Sequence, residues 1–464
     1  MEINGCTRTI GLMGNPIEHT LSPLIHNYIS RSLDISNVYV PFKVTNKGLE
    51  EAVKGAYELN ILGLNVTVPH KTNVMEYLTD VDERAMHIGA VNTLVRDDSM
   101  HGYKGYNTDL LGLMRQIDED GIDLAGRTVV ILGAGGAACA VVYMCLIKGA
   151  KKIYILNRTY NKAKMLSDRM NRLVKEGKID VCDTSVNLLN ISDFDEIDGN
   201  NLIVFQATSR GLAPNIDDVV IDAPSFYDRI DVGVDLIYNP ACTRFMKLVK
   251  EHGGRAYNAL KMLLYQGVTA YELWNKIEID DNVLEEVYIE LKRKLYHKDN
   301  VILIGFMGSG KSTVGKALAR ELGMNYVDTD EYIEHSAGMT ITDIFESKGE
   351  EEFRRMETEA LSKLMEESTG CVISTGGGVP LRQENVRVLK ENGKIIYLTA
   401  ANQVIYERIK DDTDRPLLQG SDPYGKICTM MKERKAKYEK ASDIIIDTNS
   451  NDISEVVEDI KKYL

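Results

Sequence analysis

Val301-Ile302-Leu303-Ile304-Gly305-Phe306-Met307-Gly308-Ser309-Gly310-Lys311-Ser312-Thr313 stands two-thirds of the way along a chain of 464 residues. Four consecutive apolar residues describe a buried strand, and Gly305 followed after four residues by Gly310-Lys311-Ser312 has the spacing of a phosphate-binding loop. Glycines let successive backbone N–H groups, from Gly308 and Ser309 through Gly310 to Thr313, turn inward around a polyphosphate. Lys311 reaches the outer phosphates as a point charge, and the Ser312 hydroxyl offers a hard oxygen to Mg²⁺. Behind the loop, Val314, Ala317, Leu318 and Leu322 fall at helical spacing, so a helix N-terminus adds its dipole. Everything before residue 299 then needs a core of its own, because one core rarely serves a chain this long.

Charge and cysteines narrow the class. A net charge of −14 opposes general affinity for nucleic acid or acidic membrane, so anionic ligands must be captured by local basic clusters. The seven cysteines (6, 139, 145, 182, 242, 371 and 428) are scattered, without metal-site spacing, and read as reduced thiols of a cytoplasmic protein. The first 14 residues lack the pattern of a signal peptide. Thr128 to Ile147 is uncharged and long enough for a membrane span. Its interior, Val129-Val130-Ile131-Leu132 followed by Gly133-Ala134-Gly135-Gly136-Ala137-Ala138, reads instead as strand, glycine turn and buried helix.

In the first hundred residues, strand-like runs (Ile10 to Gly14, Val38 to Phe42, Gly63 to Pro69) alternate with amphipathic helical patterns, which implies βαβ units. Polar residues cluster where such strands end: Thr20 and Ser22, Thr67 and Lys71, Asn92, and Asn107-Thr108-Asp109. Taken singly, Ser22 and Asp109 are equally what a helix cap offers, and Lys71 what a solvated loop offers. The next unit is a dinucleotide-binding pattern in which Val129 to Leu132 leads into Gly133-x-Gly135-x-x-Ala138, with Gly136 and Ala137 inside the turn and a helix to Ile147. Its second strand, Lys152 to Leu156, ends in Asn157-Arg158-Thr159 with Lys162 just beyond. Basic residues there suit a 2′-phosphate, whereas an acidic one would suit the bare ribose of NAD.

Five segments, Asn15 to Pro23, Asn65 to Lys71, Gly89 to Thr93, Asn107 to Asp109 and Asp235 to Pro240, together resemble the shikimate dehydrogenase family, in family order over residues 8–276. The resemblance implies a site for a cyclohexene acid among Thr20, Ser22, Thr67, Lys71, Asn92, Asp109, Tyr238 and Gln266, with Lys71 and Asp109 as catalytic pair and the nicotinamide near Ala259 and Met262. A lysine beside a carboxylate also suits the chemistry, since hydride arriving at a ketone leaves an alkoxide that needs a proton. Three positions depart from the family: Thr20 stands for Ser, Gln206 for Asn and Ala259 for Gly. A β-carbon at 259 makes cofactor affinity the property most open to change.

Leu284, Val287, Tyr288, Leu291 and Leu295 form a helical stripe, with Asn282 as the expected cap. After the phosphate loop, Asn325-Tyr326-Val327-Asp328-Thr329-Asp330 reads as a strand carrying Asp328 and Asp330 on one face. One of these carboxylates is suited to Mg²⁺ and the other to an incoming hydroxyl. Gly349-Glu350-x-x-Phe353-Arg354-x-x-Glu357, Ser374 to Gly378, Asp414-Arg415-Pro416 and Arg434-x-x-x-Tyr438 follow. The set resembles the shikimate kinase family over residues 299–464. That resemblance implies that Arg354, Gly377 and Arg434 hold the acid, Asp330 its ring hydroxyls, Asp328 and Ser312 the metal, and Arg415 the phosphates beneath a lid.

The expectation is an α/β chain: a substrate domain (residues 1–108 with 258–276), a Rossmann NADP domain (109–257), a helical linker (277–298) and a P-loop kinase domain (299–464). The resemblances imply NADP(H), ATP and Mg²⁺ as cofactors, with 3-dehydroshikimate reduced to shikimate and shikimate then phosphorylated. Two alternatives remain: a front half that takes quinate or NAD, and one half serving as a non-catalytic ligand sensor.

Overall fold

The computed structural model describes residues 3–179, 184–410, 422–449 and 452–464. These form two compact units, Met1–Leu291 and Lys292–Leu464.

The first unit opens with β1 (Arg8–Gly14), β2 (Asn37–Lys43), β3 (Gly63–Val66), β4 (Asp80–Val81), β5 (Thr93–Asp97) and β6 (Gly102–Tyr106), in the order β2-β1-β3-β5-β6-β4. β1, β2 and β3 run parallel, while β5 is antiparallel to both β3 and β6. A second sheet contains β7 (Thr128–Leu132), β8 (Lys152–Leu156), β9 (Ser185–Leu189), β10 (Leu202–Gln206), β11 (Ile230–Asp235) and β12 (Arg255–Asn258), all parallel in the order β12-β11-β10-β7-β8-β9. This is the doubly wound order, whose direction reverses between β7 and β10; ligands bind beyond the strand ends at such a switch point.

Burial explains why these strands read as unbroken apolar runs. Val129, Val130, Ile131 and Leu132 are each at most 1% exposed, because a parallel sheet is covered on both faces. The helix Gly136–Ile147 is buried from Ala138 to Leu146 apart from Cys139, so the uncharged run at 128–147 is an interior βα unit. Among the described residues no helix is long and apolar enough to cross a membrane. Between the sheets, the helices Thr108–Glu119 and Leu260–Asn275 pack along each other. Gly112 permits the approach, since a β-carbon there would lie 2.6 Å from the Gln266 backbone nitrogen.

The stripe near residue 284 is indeed helical, over Asp281–Leu295, with Leu284, Val287, Ile289 and Leu291 buried. Its expected cap is displaced, because Asp280 rather than Asn282 supplies the side chain: Asp280 Oδ1 accepts from the Asn282 N–H at 2.8 Å.

The second unit contains β13 (Asn300–Ile304), β14 (Asn325–Asp328), β15 (Cys371–Ser374), β16 (Gly393–Thr399) and β17 (Ile444–Asp447), all parallel in the order β14-β15-β13-β16-β17. β13 is therefore central, and the helix Lys311–Leu322 springs from its end.

Candidate active sites

A cleft of about 400 Å³ lies in the first unit, where the loops after β1 and β3 meet the starts of the helices 108–119 and 260–275. Thr20, Ser22, Thr67, Lys71, Asn92, Asp109, Tyr238 and Gln266 all line it, together with Ala137, Ala259 and Met262. Lys71 Nζ donates to Asp109 Oδ2 at 2.6 Å, with the two side chains 32% and 22% exposed. The pair is shielded yet open to a ligand.

Local structure frees these groups for the cleft. Asp109 does not cap its helix, because Asn107 Oδ1 accepts from the Leu110 N–H at 3.0 Å, leaving the Asp109 carboxylate to Lys71. Ser22 is no cap either: Leu21 occupies that position, and Ser22 Oγ accepts from Thr20 Oγ1 at 3.2 Å. Asn92 is buried, and its Oδ1 accepts from the Thr108 N–H at 2.6 Å, tying the wall of the cleft to the helix that carries Asp109. Burial pushes the Tyr238 hydroxyl upward, so it stays protonated.

The glycine turn is equally defined. Gly133 has φ +116°, and a β-carbon there would lie 2.9 Å from the Ala207 carbonyl oxygen, so only glycine makes this turn. Gly135 caps the helix that Gly136 opens, presenting the N-terminus expected to hold a pyrophosphate. A second cleft, of about 490 Å³, lies beyond β8 and β10 and is lined by Asn157, Arg158, Thr208, Ser209, Arg210 and Asp218 among others. Arg158, Thr159 and Lys162 are all exposed, and of the three Arg158 lines this cleft.

Sequence patterns missed Gln116. It is buried, accepts from the Met262 N–H at 2.8 Å and donates to the Asn258 carbonyl at 2.7 Å, fixing the turn that presents Ala259 and Met262. Its signal was a lone amide on the apolar stripe Leu113, Gln116, Ile117.

In the second unit Gly305, Gly308 and Gly310 all have positive φ, and Lys311 Nζ donates to the Gly305 and Phe306 carbonyls at 3.0 Å each. Ser312 Oγ donates to Asp328 Oδ2 at 3.2 Å, and the Tyr326 hydroxyl reaches the same oxygen at 3.0 Å. Ser312 and Asp328 thus set hard oxygens beside the phosphate loop. That fits Mg²⁺, which takes one or two protein oxygens and fills its octahedron with phosphates and water.

The shared strand face expected for Asp328 and Asp330 is not what brings them together. β14 ends at Asp328, whose Oδ1 caps the next helix by accepting from the Asp330 N–H at 3.0 Å; Asp330 sits in the first helical turn. Burial, with Asp328 alongside, pushes the Asp330 carboxyl up to about 6 against the pull of Lys311.

The glycine run at 376–378 is needed because charged groups press on its backbone. A β-carbon at Gly376 would lie 2.6 Å from Asp330 Oδ1, and one at Gly378 2.2 Å from Arg354 Nη1. Arg354 is held by Glu357, Nη1 donating to both carboxylate oxygens at 3.0 Å, and Glu357 is only 1% exposed. Tyr438 donates to the Gly377 carbonyl at 2.6 Å, and Arg434 lies over the Phe306 ring at 5.8 Å. Arg415 lies outside the described residues.

Fold and geometry define a nucleotide-dependent α/β enzyme with two sites, one built on a dinucleotide fold around a lysine–aspartate pair, the other on a phosphate loop. Residues 12–94 match the shikimate dehydrogenase substrate binding domain, 114–209 the shikimate / quinate 5-dehydrogenase family and 307–464 shikimate kinase. A shikimate dehydrogenase (NADP(+)) of Caldanaerobacter subterraneus subsp. tengcongensis is 40% identical over 298 residues, covering 63% of this chain and 100% of the relative. That of Desulforamulus reducens is 38% identical over 295 residues, covering 61% and 96%. Among solved structures, a Listeria monocytogenes shikimate 5-dehydrogenase in complex with shikimate and NAD is similar at TM-score 0.56 and 32% identity, covering 62% of this chain and 98% of that one. Another shikimate dehydrogenase, in complex with NADP⁺, reaches 0.56 and 35%, covering 63% and 98%. The chain belongs to the shikimate dehydrogenase family and carries a shikimate kinase domain behind it, which makes it a bifunctional enzyme of the shikimate pathway.

Proposed function

We propose that the first unit reduces 3-dehydroshikimate to shikimate with NADPH and that the second phosphorylates the 3-hydroxyl of shikimate with MgATP. The observation that carries the first half is the Lys71–Asp109 pair in a cleft also lined by Ala137, Ala259 and Met262. Bound NADPH supplies the hydride. Lys71 gives its proton to the ketone oxygen as it becomes a hydroxyl, while Asp109, 2.6 Å away, orients the ammonium. Thr20, Ser22, Thr67, Asn92, Tyr238 and Gln266 supply hydroxyl and amide groups for the carboxylate and ring hydroxyls.

For the second half the supporting group is Ser312, Asp328 and Asp330 beside the phosphate loop. MgATP supplies the phosphoryl group. Lys311, at the loop whose carbonyls it contacts, would meet the outer phosphates; Ser312 and Asp328 would hold the metal; Asp330 would accept a hydrogen bond from the attacking hydroxyl. Arg354, with Glu357 fixing its fork, and Arg434 hold the carboxylate, and Arg415 serves the phosphates.

NAD in the Listeria relative's complex keeps NADH open as a second reductant. Catalytic efficiencies for 3-dehydroshikimate and 3-dehydroquinate, each with NADPH and NADH, test the proposal. The reading requires the first substrate with NADPH to lead, and a lead by either NADH combination would replace it.

A further inference from the structure

The second cleft of the dehydrogenase unit contains a charged pair with no place in the mechanism above. Arg210 Nη1 donates to Asp218 Oδ2 at 2.6 Å, both residues line the cleft, and their side chains are 50% and 42% exposed. Arg158 lines the same space from the end of β8. In the order β10-β7-β8, the loop bearing Arg210 and the turn bearing Arg158 flank the strand that carries the glycine turn, one on either side. This is where the adenosine end of a dinucleotide lies in such a sheet.

Arg210 does not sit on a loose loop. Gln206 is 1% exposed; its Oε1 accepts from Thr208 N and Oγ1, each at 2.6 Å, and its Nε2 donates to the Arg210 carbonyl at 2.9 Å and to buried Asp235 at 3.2 Å. Thr208 Oγ1 in turn accepts from the Arg210 N–H at 3.1 Å, and Gly211 then turns the chain away at φ +93°. The amide that departs from the family pattern thus fixes the backbone on which Arg210 stands.

Electrostatics supply the rest. A carboxylate on the wall of a cleft meant for a phosphate monoester repels the ligand unless a cation covers it. A guanidinium can do this and still serve the ligand, because it carries more N–H donors than one carboxylate oxygen uses and its flat fork suits phosphate. We infer that Arg210 is a second arginine for the 2′-phosphate of the dinucleotide, opposite Arg158, with Asp218 as the counter-ion that positions it and moderates its grip. This rests on the reading above that NADPH is the reductant.

The test uses the full chain and the fluorescence of the reduced nicotinamide, which reports binding without turnover, alongside KM values from the reductase assay. NADPH and NADH are titrated into wild type, Arg210→Gln and Asp218→Asn. Arg210→Gln should weaken NADPH about tenfold or more while changing NADH less than about twofold. Asp218→Asn should move NADPH the other way, tightening it about threefold, with NADH unchanged. Opposite signs are the mark of a ligand-directed pair, since a bridge that merely braces the loop would be broken equally by either change. If both variants weaken both cofactors alike, or if Arg210→Gln leaves the NADPH-to-NADH ratio intact, the inference is overturned while NADPH use stands. If wild type itself does not prefer NADPH, the reading beneath falls and takes the inference with it.

Discussion

The two sites handle charge in different ways. In the dehydrogenase cleft the ionic groups satisfy each other, Lys71 against Asp109 at 2.6 Å, and the amides and hydroxyls around them are anchored to helix starts. At the second site burial comes first: it pushes the Asp330 carboxyl up, Asp328 and Glu357 add to the effect, and Lys311, which donates to its own loop carbonyls, opposes it. The first site offers one shielded proton donor among hydroxyls and amides. The second holds a buried carboxyl whose charged form a nearby cation would favour.

The largest expected effects separate the sites outright. Lys311→Met should abolish phosphorylation and leave reduction near wild type, whereas Lys71→Ala should lower reduction by about 10²–10⁴-fold and spare the kinase. Separate assays of both activities on each folded variant check this, and a variant that silences both would erase the distinction.

Arg158→Gln comes next. Loss of a charge-assisted contact worth about 1.5–3 kcal/mol should raise the KM for NADPH about 10–100-fold with little change for NADH. Lys162→Gln, altering an exposed lysine outside the cleft, should shift either by less than about twofold. KM series with both cofactors decide, and equal responses from the two variants would restore the basic pair expected from sequence.

Asp330→Asn probes the cost of the buried carboxylate. The folded pKa of about 6 exceeds the reference 3.8, so the folded state holds its proton more tightly and loses stability as pH rises from about 4 to about 6. The neutral amide escapes that cost. Urea unfolding should therefore find the variant more stable than wild type by about 2–3 kcal/mol at pH 7.5 and equal to it below about pH 4, while its kinase activity falls. A variant less stable than wild type at pH 7.5 would mean that Asp330 is held by favourable contacts instead.

Much of this was legible because the informative segments are local. A buried strand, a glycine turn and a helix start at 129–147 and again at 301–322 need only the residues themselves. The gathering of Thr20, Lys71, Asn92, Asp109 and Gln266 in one cleft joins residues up to 246 positions apart, and only the family resemblance brought them together in advance. Three features were not legible. Asp330 was placed on a strand because alternation was extended past Asp328, whereas the Asp328 carboxylate caps a helix and ends the strand there. Gln116, Gln206 and Glu357 each stand in a segment that sequence singles out or could have, but their partners, backbone groups or an arginine, leave no pattern in sequence. The surroundings of the Lys162 side chain were not legible either: it stands in the first turn of the helix starting at Tyr160, exposed as Arg158 is.

The central claim is that one chain carries two complete sites acting in succession, and the most direct test supplies the purified protein with 3-dehydroshikimate, NADPH and MgATP while following NADPH loss and ADP formation together. The account predicts that NADPH oxidation starts at once, that ADP follows after a lag in which shikimate accumulates, and that the final yields are one ADP per NADPH consumed. NADPH consumption without ADP formation, or no oxidation of NADPH while added shikimate is still phosphorylated, would contradict it by leaving one of the two sites without its reaction.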